Sequence, residues 1–159
     1  MTRFGELLHT LGAAKVDFIL VGGVAAAAHG SARATQDLDI VYSRGPENLK
    51  KLVVALAPLQ PYLRGAPPGL PFRFDEETLR QGLNFTLTTS HGWIDLLGEI
   101  TGGGSFEDIV NHAVAVEVFG VGCLILDLPT LIKTKRAAGR PKDLEALAEL
   151  EVIRDKIGS

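Results

Sequence analysis

Between Gln36 and Ser43 the chain reads Asp37-Leu38-Asp39-Ile40-Val41-Tyr42, and that alternation constrains everything built around it. Strand side chains alternate between faces, so Asp37, Asp39 and Val41 point one way while Leu38, Ile40 and Tyr42 point the other. Residues two apart on a strand lie ~6.5–7 Å apart at Cα. Two carboxylates so placed among large apolar residues repel each other and lose hydration. The arrangement costs stability unless something positive sits between them.

The flanking sequence supplies elements to hold such a strand. Phe4, Leu7, Leu8 and Leu11 fall at helical spacing and predict an amphipathic helix over residues 2–14. A short buried strand follows at 17–21, and Gly22-Gly23 opens an Ala-rich helix that ends near His29-Gly30. After the aspartate strand comes a helix from about Pro46 to Ala57, with proline at a permitted early position. Five prolines between Pro58 and Glu77 mark most of that segment as a long surface loop. LNFTLTT (83–89) and WIDLL (93–97), joined by Ser90-His91-Gly92, read as a hairpin. TGGGS (101–105) is a turn into a short helix, and residues 114–127 form a further hairpin. Two helices separated by Gly139-Arg140-Pro141 complete the chain. The expectation is an α/β (α+β) domain on a mixed sheet, residues 1–127, with a helical extension, 128–159, packed on it.

A third carboxylate belongs with the first two. Asp95 is the lone charge in the apolar run Trp93-Ile94-Asp95-Leu96-Leu97. If its strand lies beside the first, Asp37, Asp39 and Asp95 converge on one face. Three carboxylates there can share divalent ions, which in two-metal sites stand ~3.5–4 Å apart. Magnesium suits oxygen ligands and leaves coordination positions for phosphate, with manganese as the alternative ion. Gly22-Gly23 supplies the complement, because bare backbone N–H groups between a strand and a helix let a phosphate approach. The glycines do not make the dinucleotide fingerprint G-x-G-x-x-G, and no P-loop G-K-[ST] occurs.

Together these residues resemble the polymerase-β-like nucleotidyltransferases. The shared pattern is Val21-Gly22-Gly23, a spacer of thirteen residues, then Asp37-Leu38-Asp39-Ile40, with Asp95 as the third carboxylate. The stretch from Gly22 to Ile40 looks most like small prokaryotic members: AbiEii-type toxin proteins, MNT-type antitoxins and short antibiotic-modifying enzymes. The resemblance implies a nucleotidyltransferase fold and transfer of a nucleoside monophosphate from an NTP to a hydroxyl-type acceptor. Asp37 and Asp39 would hold two Mg²⁺, Asp95 would share one and help activate the acceptor, and Gly22 and Gly23 would contact the triphosphate. Many members carry Ser where Gly23 stands, so any contact here comes from the backbone. The acceptor is open between tRNA, a protein and a small molecule. A non-catalytic or antitoxin-type protein that holds a cognate toxin or antitoxin partner is the competing reading.

Secondary candidates lie outside the carboxylates. Arg33, two residues before Thr35, binds a phosphate or pairs with an aspartate. Lys133, Lys135, Arg136, Arg140 and Lys142 form the one basic cluster; it reads as a solvated helix face or as a source of a triphosphate contact, with Lys133 or Lys135 reaching in. His29, His91 and His112 lack ligand spacing and read as structural or surface residues. A net charge of −3 provides no broad surface for nucleic acid. The single cysteine, Cys123, excludes an intrachain disulfide and fits a reducing compartment. No apolar run approaches the ~18 residues of a membrane span. A cytoplasmic protein without membrane contact is expected.

Overall fold

The computed structural model describes residues 1–157 of the chain, so the last two residues of the expected helical extension lie outside the described residues. The chain begins with helix α1 (Phe4–Ala13), strand β1 (Phe18–Val21), helix α2 (Gly22–Ala28), strand β2 (Asp37–Tyr42) and helix α3 (Pro46–Leu56). Strand β3 (Tyr62–Leu63), helix α4 (Glu76–Gln81), and the hairpin β4 (Phe85–Thr89) and β5 (Gly92–Leu97) come next. A small ladder, β6 (Glu99–Ile100) and β7 (Gly104–Ser105), leads into α5 (Phe106–Ile109). A second hairpin, β8 (Ala113–Val118) and β9 (Val121–Leu126), precedes the helices α6 (Leu128–Ala138) and α7 (Pro141–Ile157).

Seven strands form one mixed sheet in the order β3-β4-β5-β2-β1-β9-β8. The predicted class, a mixed-sheet α/β domain with a helical pair at its end, is the observed one. β1 lies near the middle and all four of its residues are buried, as expected for an apolar strand covered on both faces. It runs antiparallel to β2 and parallel to β9, while β2 runs parallel to β5. On the face of β2 and β5 away from the aspartates, Leu38, Ile40, Ile94 and Leu96 are fully buried. Leu7, Leu8 and Leu11 of α1 and Leu49, Leu52 and Leu56 of α3 join the same apolar core. The buried Asn48 side chain accepts from the Asp17 backbone N–H and donates to the Asp17 and Ser43 carbonyls, tying α3 to the ends of β1 and β2.

The helical pair is fixed to the sheet domain. Leu131, Ile132 and Leu150 are buried in the common core. Glu149 of α7 accepts hydrogen bonds from the Ser31 hydroxyl and the Ala32 backbone N–H, across the segment that leads into β2. Among the described residues no helix is long and apolar enough to cross a membrane.

The segment 58–77 departs in part from the expected loop. It pairs through β3 with β4 before continuing without regular structure to Asp75. There the Asp75 carboxylate accepts the Thr78 backbone N–H and starts α4.

Candidate metal centre

Parallel pairing of β2 with β5 places Asp39 directly opposite Asp95, with Asp37 opposite Trp93. Asp37, Asp39 and Asp95 each offer one carboxylate oxygen within 4.8 Å of the other two. All three are half-buried, and Asp37 and Asp39 stand at a cleft between the sheet and the helical pair. Burial pushes the Asp39 carboxyl up to about 8, and the Asp95 and Asp37 carboxylates add to that, offset in part by the positive charge of Lys135. Asp39 Oδ1 is buried and has no hydrogen-bond partner. An orphaned oxygen beside two further carboxylates suits a hard divalent cation: all the offered ligands are oxygens, and the excess charge is negative.

The Gly22-Gly23 corner is shaped by this cluster. Gly22 has φ +67°, and a Cβ there would fall 2.0 Å from Asp39 Oδ2. A side chain at Gly22 would thus displace the carboxylate as well as strain the backbone. A Cβ on Gly23 would lie 2.6 Å from the Thr35 side chain. Thr35 fills the space that a serine at position 23 would need, which gives a steric reason for glycine in this chain.

Two hollows meet at the cluster. One, about 430 Å³, has a largely apolar wall of Leu97, Ile100, Leu131 and Ala138. The other, about 220 Å³, holds Gly23, Arg33, Asp37 and Lys142. Asp39, Lys135, Arg140 and Asp143 line both. Asp143 is 1% exposed and receives Arg140 Nε at 2.6 Å and Lys135 Nζ at 3.5 Å. Burial raises its carboxyl, but the Arg140 hydrogen bond and the two cations outweigh burial and hold it below the ordinary range.

The secondary candidates divide between the hollows and the outer surface. Lys133 is exposed and lines neither hollow; Lys135, two residues on, lines both. Residues two apart on a helix point to different faces. Lys135 stands one turn beyond the buried Leu131 and Ile132, on the side that packs inward. Arg33 pairs with Glu145 of α7 at 3.5 Å and not with an aspartate, and it stands at the smaller hollow. Three of the basic residues find acids in the helical pair: Lys135 and Arg140 at Asp143, and Arg136 at Glu151. The histidines are structural or peripheral as expected: His29 bonds the Leu126 carbonyl, His91 meets Glu6 and His112 meets Asp127.

One site residue had no signal in the sequence. Arg64, just past β3, places Nη2 2.8 Å from Asp95 Oδ1 and Nη1 3.5 Å from Asp37 Oδ2. Its side chain is only 16% exposed, and it is held by the Leu87 carbonyl at 2.8 Å. No family model matches the chain, and no curated protein matches it.

Proposed function

We propose that this chain is a divalent-metal-dependent nucleotidyltransferase that moves a nucleoside monophosphate from an NTP to a hydroxyl-type acceptor. One observation carries the reading: three carboxylates from neighbouring parallel strands bring oxygens within 4.8 Å of one another, and one of the three, Asp39, has a buried oxygen without a partner. Asp37, Asp39 and Asp95 would hold Mg²⁺ or Mn²⁺, which when bound neutralises phosphate charge and polarises the α-phosphate.

The chain's own residues divide the remaining work. In the reaction the acceptor oxygen bonds to the α-phosphorus while the α–β bridging P–O bond breaks, and pyrophosphate leaves with the electron pair. The acceptor's proton needs a base, and Asp95 supplies a carboxylate at the cluster. Lys135 and Arg140 face the shared part of the two hollows and suit the triphosphate's charge. The side-chain-free corner at Gly22 and Gly23 leaves room for it beside Asp39.

The test is binding of each NTP with and without Mg²⁺, by wild type and by the double variant Asp37→Asn/Asp39→Asn. Metal-dependent binding by wild type, reduced at least about 100-fold in the variant, is expected. Equal binding by both folded proteins, or none by wild type, overturns the reading and favours a partner-binding role.

A further inference from the structure

Arg64 occupies an unusual place, inside the acidic cluster, and the proposed reaction gives it no task. It reaches there from the proline-rich segment, anchored by its backbone N–H to the Thr86 carbonyl. Its guanidinium lies 4.6 Å from the centre of the Trp93 ring and touches Asp37 and Asp95, yet makes no contact with the unpartnered Asp39 Oδ1. Its Nε is buried without a partner. A cation held between two of three metal-ligating carboxylates takes up the charge and the lone pairs that a metal needs.

We propose that Arg64 is a resident competitor of the divalent ion. It neutralises Asp37 and Asp95 while no ion is bound, and it gives up that position when the ion takes the same carboxylates. Metal binding is thereby coupled to release of Arg64 from Trp93, so the site exchanges a built-in cation for a soluble one. The coupling follows from shared ligands: whatever the metal gains at Asp37 and Asp95, Arg64 loses, and the reverse. The inference rests on the metal reading above. It goes beyond that reading in assigning the site a metal-linked conformational step and a residue that sets its metal affinity.

Trp93 is the chain's one tryptophan, so its emission reports the guanidinium directly. The experiment measures Mn²⁺ binding by electron paramagnetic resonance and Trp93 emission during Mg²⁺ titration, without nucleotide. The proteins are wild type, Arg64→Gln, Arg64→Lys and Asp39→Asn. Arg64→Gln is expected to bind Mn²⁺ about tenfold more tightly than wild type, because a competing positive charge has gone. Arg64→Lys keeps the charge but loses the two-pronged bridge, and falls between the two. In wild type, Mg²⁺ shifts Trp93 emission to the red as the ring loses its cover. Arg64→Gln starts red-shifted and does not respond.

Equal or weaker Mn²⁺ binding by folded Arg64→Gln overturns the proposal, since Arg64 would then organise the carboxylates instead of competing for them. The same Mg²⁺-driven shift in Arg64→Gln, or none in wild type, also overturns it. If Arg64→Gln fails to fold, Arg64→Lys decides: affinity unchanged from wild type counts against the proposal. The metal site is tested separately by the wild type and Asp39→Asn. Mn²⁺ binding that is lost in Asp39→Asn upholds the site even where the Arg64 variants reject competition. Absence of Mn²⁺ binding in wild type and every variant overturns both.

Discussion

Asp39 and Asp143 face the same two hollows, and their carboxyls are displaced in opposite directions. Asp143 is the more deeply covered, yet it is held ionised, because Arg140 and Lys135 both reach it. Asp39 is pushed up to about 8 by burial and by the carboxylates beside it. The three acids of the sheet share one guanidinium, which reaches only two of them. Burial raises both carboxyls; at Asp143 the neighbouring cations outweigh it, and at Asp39 they do not. The helical pair carries a completed ion cluster that fastens α6 to the start of α7. The sheet carries an incomplete one, with three carboxylates to one guanidinium.

The largest expected effect tests the completed cluster. Asp143→Ala leaves Lys135 without its partner and removes the carboxylate that receives Arg140, and it should cost about 3 kcal/mol in urea denaturation. Asp39→Asn should do the opposite in metal-free buffer, stabilising the chain at pH 8 through removal of a repelled charge. Comparable losses in both variants would break the contrast, since Asp39 would then be as well compensated as Asp143.

The pH dependence sharpens it. Asp39 titrates from an ordinary value of 3.8 when unfolded and from about 8 when folded. Between those values the folded chain holds the additional proton, so stability falls as pH rises. The contribution is complete below about 4 and gone above about 8. Asp143 behaves in the reverse sense: its folded value lies below the ordinary one, so its contribution is present at neutral pH and is lost in acid. Metal-free melts should reveal wild type losing stability relative to Asp39→Asn steadily as pH rises from 4 to 8. A flat difference would mean that Asp39 is already ionised in the folded chain.

The acids were legible in the sequence and their counter-ion was not, for a physical reason. Asp37 and Asp39 are exposed as a pair by the strand's period of two, and Asp95 stands out as a lone charge in an apolar run. A carboxylate in such surroundings is conspicuous because it costs free energy there. Arg64 stands in a proline-rich stretch with no period, and its place depends on the two-residue pairing of β3 with β4, a tertiary event. The parallel neighbouring of β2 and β5 likewise depends on the sheet order, which no local period encodes. Helix α4 was readable in principle, since Asp75 followed by Glu76, Glu77 and Thr78 is a helix-start signal. The five prolines upstream mask that signal, because they mark the stretch before it as loop.

Lys133 and Lys135 divide on the same kind of local information. Leu131, Ile132 and Thr134 are buried, so the inward side of α6 can be drawn from helical phase, and Lys135 lies along its edge while Lys133 does not. Lys135→Ala should weaken Mg²⁺-NTP binding about tenfold, the loss of one charge-assisted phosphate contact. Lys133→Ala should leave binding within about twofold of wild type. Arg140 still reaches Asp143 in the Lys135 variant, so the fold survives and calorimetric affinity is readable. If Lys133→Ala proves the more damaging, the triphosphate approaches from the outer face of α6, and the completed cluster at Asp143 stands apart from the nucleotide. If Lys135→Ala does, the completed cluster holds the cation against which the incomplete one works.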